Sequence, residues 1–311
     1  MIPTTFEYAR ATSIDDALAR IQAAGRAGKF IAGGHSLVPL MKLRLSEPQL
    51  LVDISRISDL AGIHERDGKI VIGAGTVHHA VATSALLQQA CPAVSDCAAT
   101  IGDPQVRNRG TIGGSLAHAD PSADMPAVMV ALDAEIHLRG PGGWRVVTAP
   151  AFFQDLFTVD MAADELIVSV QFTPVKAAAY AKLHQRASHY AIVGVAAALD
   201  ARDGTIVSAR VGLTGASSHA TRLANVEAAL AGAAALGRDH RARGTAGRRG
   251  LDRGERRHSR QRGVPARDGA GVHAAGADGG DGARVATSRR LCRRCMRTSL
   301  AVAGDDGRLR A

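Results

Sequence analysis

Two short stretches hold the residue types from which a phosphate cradle is made: IAGGHSL at 31–37 and GTIGGSLAHADPSAD at 110–124. Each follows an apolar segment and leads into something helical or compact. Paired glycines let successive backbone N–H groups converge, and converging donors attract an anion. Ser36, Thr111 and Ser115 add hydroxyl donors. One Gly-Gly pair is more often only a tight turn. Two with matching Gly-Gly-x-Ser and Gly-Gly-Ser chemistry point to a ligand with two phosphates. No Gly-Lys-Ser/Thr follows either turn and neither has the GxGxxG spacing, which argues against a nucleoside triphosphate site and the ordinary dinucleotide fold.

The elements around these turns follow from pattern. SIDDALARIQAAGRAG reads as a helix capped by Ser13, with Ala17, Leu18, Ile21 and Ala24 on one face. KFIAGG, LLVDIS and KIVIGAGT read as strands, and LVPLMKLRL as a helix entered through Pro39. HHAVATSALLQQACPAVSDCAATI gives one or two helices, with His78 and His79 at its start as caps or surface residues. AEIHLRG and WRVVTA flank a glycine-rich turn at 140–143, the pattern of a hairpin, and DELIVSVQF is a strand closed by Pro174. After residue 175 the pattern changes to three strands in succession, AAYAKLHQRA, AIVGVAAALDA and TIVSARVGLTG, followed by a helix in TRLANVEAALAG. Asp203-Gly204 is a hairpin signal between the last two strands. The class is α+β, with a boundary near 175.

The net charge of +9 suggests a nucleic-acid partner, but its distribution argues otherwise. Residues 1–237 hold 19 Lys+Arg against 21 Asp+Glu, and all the excess basicity lies in the last 74 residues, with 19 arginines and 8 acids. That tail has 13 glycines, no Ile, Phe, Tyr, Trp, Lys or Asn, and no regular hydrophobic period. An arginine-rich nucleic-acid arm, a disordered tail and a shifted reading frame in a GC-rich gene all give such a composition. The shifted frame is the preferred reading, because the neighbouring frame across residues 255–278 can encode an amphipathic helix. CRRC at 292–295 is then an accident, and Cys91 and Cys97 are ordinary buried or half-buried thiols. No apolar run is long enough to span a membrane. The N-terminus has no basic segment leading into an apolar one, so the cytoplasm is the expected location.

AGGHSLVPLMKLRL, VRNRGTIGGSLAHADPSADMPA and YAKLHQRASHYAIVGVAAAL together resemble the FAD-binding medium subunit of the molybdenum hydroxylases, most nearly the carbon monoxide dehydrogenase type, which is related to the flavin domain of xanthine dehydrogenase. The resemblance covers residues 1 to about 235, and the shifted-frame reading of the tail resembles the family's C-terminal helix. It implies a two-subdomain FAD-binding fold of the vanillyl-alcohol-oxidase/PCMH type over residues 1–176, with subdomains of about 1–57 and 58–176. A small C-terminal domain of a three-stranded antiparallel sheet plus helix follows over 177–236, then an irregular tail over 237–311. Ala32, Gly33, Gly34, His35 and Ser36 would form one cradle for the FAD pyrophosphate, and Thr111, Ile112, Gly113, Gly114 and Ser115 the other. The resemblance places Asp124 near the ribityl or ribose hydroxyls, and Ile167 and Lys182 near the flavin ring. From the residues alone, Ile167 is more often simply a core residue, and Lys182 fits a solvated strand equally well. Tyr190 is a further aromatic placed to approach the ring, and Arg107, Arg109 and His118 lie in or beside the second motif without an assigned role.

The function implied is electron transfer in an oxidoreductase. FAD would pass electrons from [2Fe–2S] clusters on a small partner to an external acceptor, while substrate reacts at a molybdenum cofactor on a large partner. The assembly implied is a dimer of heterotrimers, with no nucleic acid involved. The chain itself lacks the cysteines for a [2Fe–2S] cluster. The alternatives are a stand-alone FAD-dependent oxidoreductase and, with less support, an Arg-rich nucleic-acid-binding protein.

Overall fold

A computed structural model of the chain describes residues 2–235. The reading of residues 237–311 as an out-of-frame tail lies outside the described residues. Two sheets carry the part that contains both glycine turns. A three-stranded parallel sheet has Leu50–Asp53 at its centre, between Glu7–Arg10 and Gly28–Ile31. Helix Ile14–Ala24 connects the outer two strands and packs Ala17, Leu18 and Ile21 inward. The Ser13 side chain accepts from the Asp16 amide, so the cap read from sequence forms.

The second sheet is antiparallel, in the spatial order Ile63–Arg66, Lys69–Gly73, Leu166–Phe172, Glu135–Gly140 and Gly143–Thr148. The last two strands are the expected hairpin. On this sheet lies a layer of short helices. The segment 78–99 forms three helices rather than one or two, His78–Thr83, Ala85–Ala90 and Pro92–Ala99. Ser84 ends the first of these in an extended conformation and caps the second, and Pro92 restarts the chain as the third. LVPLMKLRL is helical only over Leu37–Lys42, because Arg44 adopts a left-handed φ of 58°.

The apolar run after the second turn becomes helix Asp124–Ala131, in which every residue is buried. A helix with no polar face has to be enclosed on all sides. It lies between the helical layer and a final antiparallel sheet of Ala178–His184, Ala191–Arg202 and Thr205–Thr214, with the two-residue strand Thr221–Arg222 at its edge. The three long strands are those expected. The start of the expected last helix instead pairs as that edge strand, and the helix is limited to Ala224–Leu230. Gly212 permits the close fit of helix and sheet. A Cβ there would collide with the Ala127 carbonyl oxygen and lie 3.2 Å from the Ala131 nitrogen. This contact aims the first residue of the helix, Asp124, at the strand that carries Lys182.

Candidate flavin site

The two glycine turns meet. A Cβ on Gly33 would lie 2.8 Å from the Arg109 carbonyl carbon and 2.9 Å from Gly110 Cα, so only glycine lets the first turn lie against the second. Gly34 has a left-handed φ of 73°. The amides of Gly33, Gly34, His35, Ser36 and Leu37 have no acceptor among the described residues. The exposed ring of His35 lies against the Gly33 carbonyl, with Nδ1 at 3.0 Å. Ala32 is half-buried against the core of the first sheet.

The second turn is wired differently. Ile112 donates to Thr76 O at 3.0 Å, Gly113 to Ala74 O at 2.8 Å and Ser115 to Thr111 O at 3.0 Å. Thr111 caps helix Ile112–His118, its Oγ1 accepting from Gly114 N at 3.1 Å. The expectation of free amides fails for 112–115, where the chain consumes its own donors, while those of 33–37 have no acceptor among the described residues. The second turn can offer a ligand the Ser115 and Thr111 hydroxyls and, at exposed Gly114, a surface without a side chain. Gly113 is buried, with Ala74 Cβ 2.5 Å from where its own Cβ would be.

His78 holds this turn from behind and is buried, contrary to the surface reading. Its amide donates to Gly110 O at 2.9 Å, and a Cβ on Gly110 would lie 3.1 Å from the ring's Cδ2. Burial, with a smaller contribution from His35, pushes the His78 pKa down to about 4. Its Nδ1 is buried without a hydrogen-bond partner. Arg107 is turned inward, donating from Nη1 to the carbonyls of Ile101 and Gly102, both at 3.0 Å. The His118 ring lies 5.2 Å from that of Phe157.

Asp124 and Lys182, assigned separate cofactor contacts by resemblance, are partners of each other. Lys182 Nζ lies 2.8 Å from Asp124 Oδ2, and the side chains are 4% and 6% exposed. The ammonium also donates to Thr100 O at 3.1 Å, and Tyr180 donates its hydroxyl to Asp124 Oδ1 at 2.5 Å. Burial raises the Asp124 pKa, and the bonds from Lys182 and Tyr180 work against that rise. The solvated-strand reading of Lys182 is thus set aside. Tyr180 was missed in the sequence although it carries a signal, since residues two apart on a strand share a face. Ile167 is a core residue, 3% exposed, beside a break in register between Ile167 and Ser169. Tyr190 is 45% exposed, and burial and the nearby Asp120 and Asp124 raise its phenol pKa. Both cysteines in the described residues, Cys91 and Cys97, are buried thiols. Among the described residues no group of three His, Cys, Asp or Glu could hold a metal ion, and no helix is long and apolar enough to cross a membrane.

The glycine seam, the free amides of the first turn and the hydroxyls of the second suit a pyrophosphate. The chemistry of these groups fits FAD. Comparison with known proteins agrees. Residues 4–174 match the family described as the FAD binding domain in molybdopterin dehydrogenase, and residues 178–238 match the CO dehydrogenase flavoprotein C-terminal domain. The carbon monoxide dehydrogenase medium chain of Hydrogenophaga pseudoflava is 39% identical over 225 residues, which cover 71% of this chain and 78% of that one. The 6-hydroxypseudooxynicotine dehydrogenase complex subunit alpha of Paenarthrobacter nicotinovorans is 40% identical over 256 residues, covering 81% and 86%. The crystal structure of quinoline 2-oxidoreductase from Pseudomonas putida 86 superposes with a TM-score of 0.71 at 32% identity, over 75% of this chain and 82% of that one. The chain belongs to the family of FAD-binding domains of molybdopterin dehydrogenases, continued by a C-terminal domain of the CO dehydrogenase flavoprotein type.

Proposed function

We propose that the chain is the FAD-binding medium subunit of a molybdenum hydroxylase, an oxidoreductase of the carbon monoxide dehydrogenase type, working with a large molybdenum-cofactor subunit and a small [2Fe–2S] subunit. The observation that carries this reading is the seam at Gly33, where a turn of free amides abuts a second glycine turn within a chain of this family. The relatives' names support the subunit role, since they are a medium chain and a subunit of a complex. The finer assignments are a FAD-binding unit over 1–176, a C-terminal domain over 177–236, a dimer of heterotrimers and a cytoplasmic location.

When bound, the flavin supplies the step between one-electron carriers and an external acceptor. The chain's own residues bind and orient. The amides of residues 33–37 would hold the charged pyrophosphate, and Thr111 and Ser115 would add hydroxyl donors. Asp124 and Lys182 form a buried pair, and the ammonium would balance negative charge on a reduced flavin held beside it. Ile167, a buried core residue, would back the flavin ring with apolar surface. Ala32, Gly33 and Gly34 set the backbone path of the first turn and let it abut the second, Gly113 lets the second pack on Ala74, and Gly114 leaves its exposed face free of a side chain.

Stopped-flow absorbance of the flavin-loaded chain tests the assignment. Substrate of the assembled enzyme should reduce the flavin only when the iron–sulfur subunit is present. Full-rate reduction of the isolated chain would instead make it a stand-alone oxidoreductase.

A further inference from the structure

The ion pair of Asp124 and Lys182 has a third member whose place is determined by the sheet. Tyr180 and Lys182 project from the same face of strand Ala178–His184, and across the ladder Lys182 pairs with Gly194 and Tyr180 with Ala196. Gly194 is the position that makes room. A Cβ there would collide with the Tyr180 hydroxyl oxygen and would lie 3.0 Å from its Cζ and 2.8 Å from Thr214 Cγ2. With glycine at 194 the phenol lies over its neighbouring strand and donates a hydrogen bond to Asp124 Oδ1, while Lys182 donates to Oδ2. Each carboxylate oxygen thus has one donor, and both donors come from the C-terminal sheet while the carboxylate comes from the FAD-binding part.

We propose that Tyr180 is a positioning residue of the flavin site, which, in the space left by Gly194, keeps Asp124 ionised as the counterion that holds the Lys182 ammonium in place. This rests on the assignment of flavin to this cleft. A buried carboxylate that loses one of two hydrogen bonds binds its proton more readily. Once Asp124 is neutral, the ammonium has lost its counterion, and the field it exerts on reduced flavin changes.

Other ionisable groups reach this pocket but do not substitute for the phenol. Cys97 and Asp96 lie on helix Pro92–Ala99, and Tyr190 lies close enough to Asp120 and Asp124 for both carboxylates to act on it. Burial drives the Cys97 thiol well above its ordinary range, and burial with the nearby aspartates raises that of Tyr190, so both remain neutral at acidic pH. Asp96 and Asp120 are unchanged in any variant of residue 180 or 194 and cancel in a comparison with the parent.

The test is the midpoint potential of the flavin measured against pH in the full flavin-loaded chain, for the parent, Tyr180→Phe and Gly194→Ala. Flavin occupancy is measured first. A parent without FAD would refute the flavin assignment itself, before any statement about Tyr180. With occupancy equal to the parent's, the expected result is that the break caused by protonation of Asp124 moves to higher pH in Tyr180→Phe. Gly194→Ala, which retains the hydroxyl but displaces it, should move the break in the same direction. Superimposable profiles for parent and Tyr180→Phe would overturn the proposal. So would a Tyr180→Phe chain that folds but has lost its flavin, because the hydroxyl would then be binding the cofactor rather than positioning the pair.

Discussion

In residues 33–37 the backbone amides have no acceptor among the described residues, whereas in 112–115 every amide is spent on Thr76, Ala74 or Thr111. The two strings look alike, Gly-Gly with a serine within two residues, yet one is a donor surface and the other a buttress. The difference lies in the acceptors each glycine pair meets: the carbonyls of Thr76, Ala74 and Thr111 and the Thr111 hydroxyl take the amides of 112–115, and no described group takes those of 33–37. Thr111 supplies its own helix cap, so the first turn of helix Ile112–His118 is satisfied before any ligand arrives. Ser36 makes no side-chain cap bond to helix Leu37–Lys42, and the amides ahead of that helix stay available. Glycine pairs in a sequence therefore mark where a backbone can come close, and the acceptors that tertiary packing brings to them decide whether their donors are free.

The comparison is most strongly broken by placing charge on the buttress. Gly114→Asp sets a carboxylate at an exposed position of the second turn, with its Cβ 2.9 Å from Thr111 Oγ1. Repulsion of the pyrophosphate and disturbance of the cap should together cost on the order of 2–5 kcal/mol of FAD binding, seen as loss of flavin absorbance in purified protein. Equal flavin content in variant and parent would remove the second turn from the site.

A second effect of similar size concerns the support behind that turn. His78 titrates at about 4 in the folded chain against 6.5 when unperturbed, so the unfolded state binds the proton first as pH falls. Stability from this group is complete above about pH 6.5 and declines towards pH 4, by roughly 3 kcal/mol over the window. Denaturant unfolding at pH 7 and pH 4.5 should show that loss in the parent and a smaller one in His78→Asn. Parallel losses in both chains would mean that His78 is not the neutral, buried group described.

The smaller effect sharpens the seam between the turns. Gly33→Ala must move the Arg109–Gly110 backbone, an overpacking cost of about 1–3 kcal/mol, and should weaken flavin retention while leaving the C-terminal sheet intact. Unchanged retention would show that the turns are free to separate.

Much of this was legible in the sequence, and the exceptions have physical reasons. The α+β order, the hairpin at 140–143 and the three long C-terminal strands followed from period and turn residues. The break of segment 78–99 into three helices did not, because Ser84 and Pro92 act as cap and restart only once tertiary contacts fix the path. The roles of Asp124 and Lys182 came from family resemblance, and their mutual pairing came only from the close packing of helix Asp124–Ala131 on the last sheet at Gly212. Nothing in a Gly-Gly-Ser string states whether its amides are already bonded, since the acceptors at Ala74 and Thr76 lie nearly forty residues away in the chain.

Amide hydrogen exchange, compared between the flavin-free and FAD-loaded chain, tests the central claim most directly. The account predicts that FAD slows exchange at residues 33–37, whose amides gain an acceptor, and changes little at 112–115, whose amides are protected beforehand. Protection gained at 112–115 with none at 33–37 would contradict it.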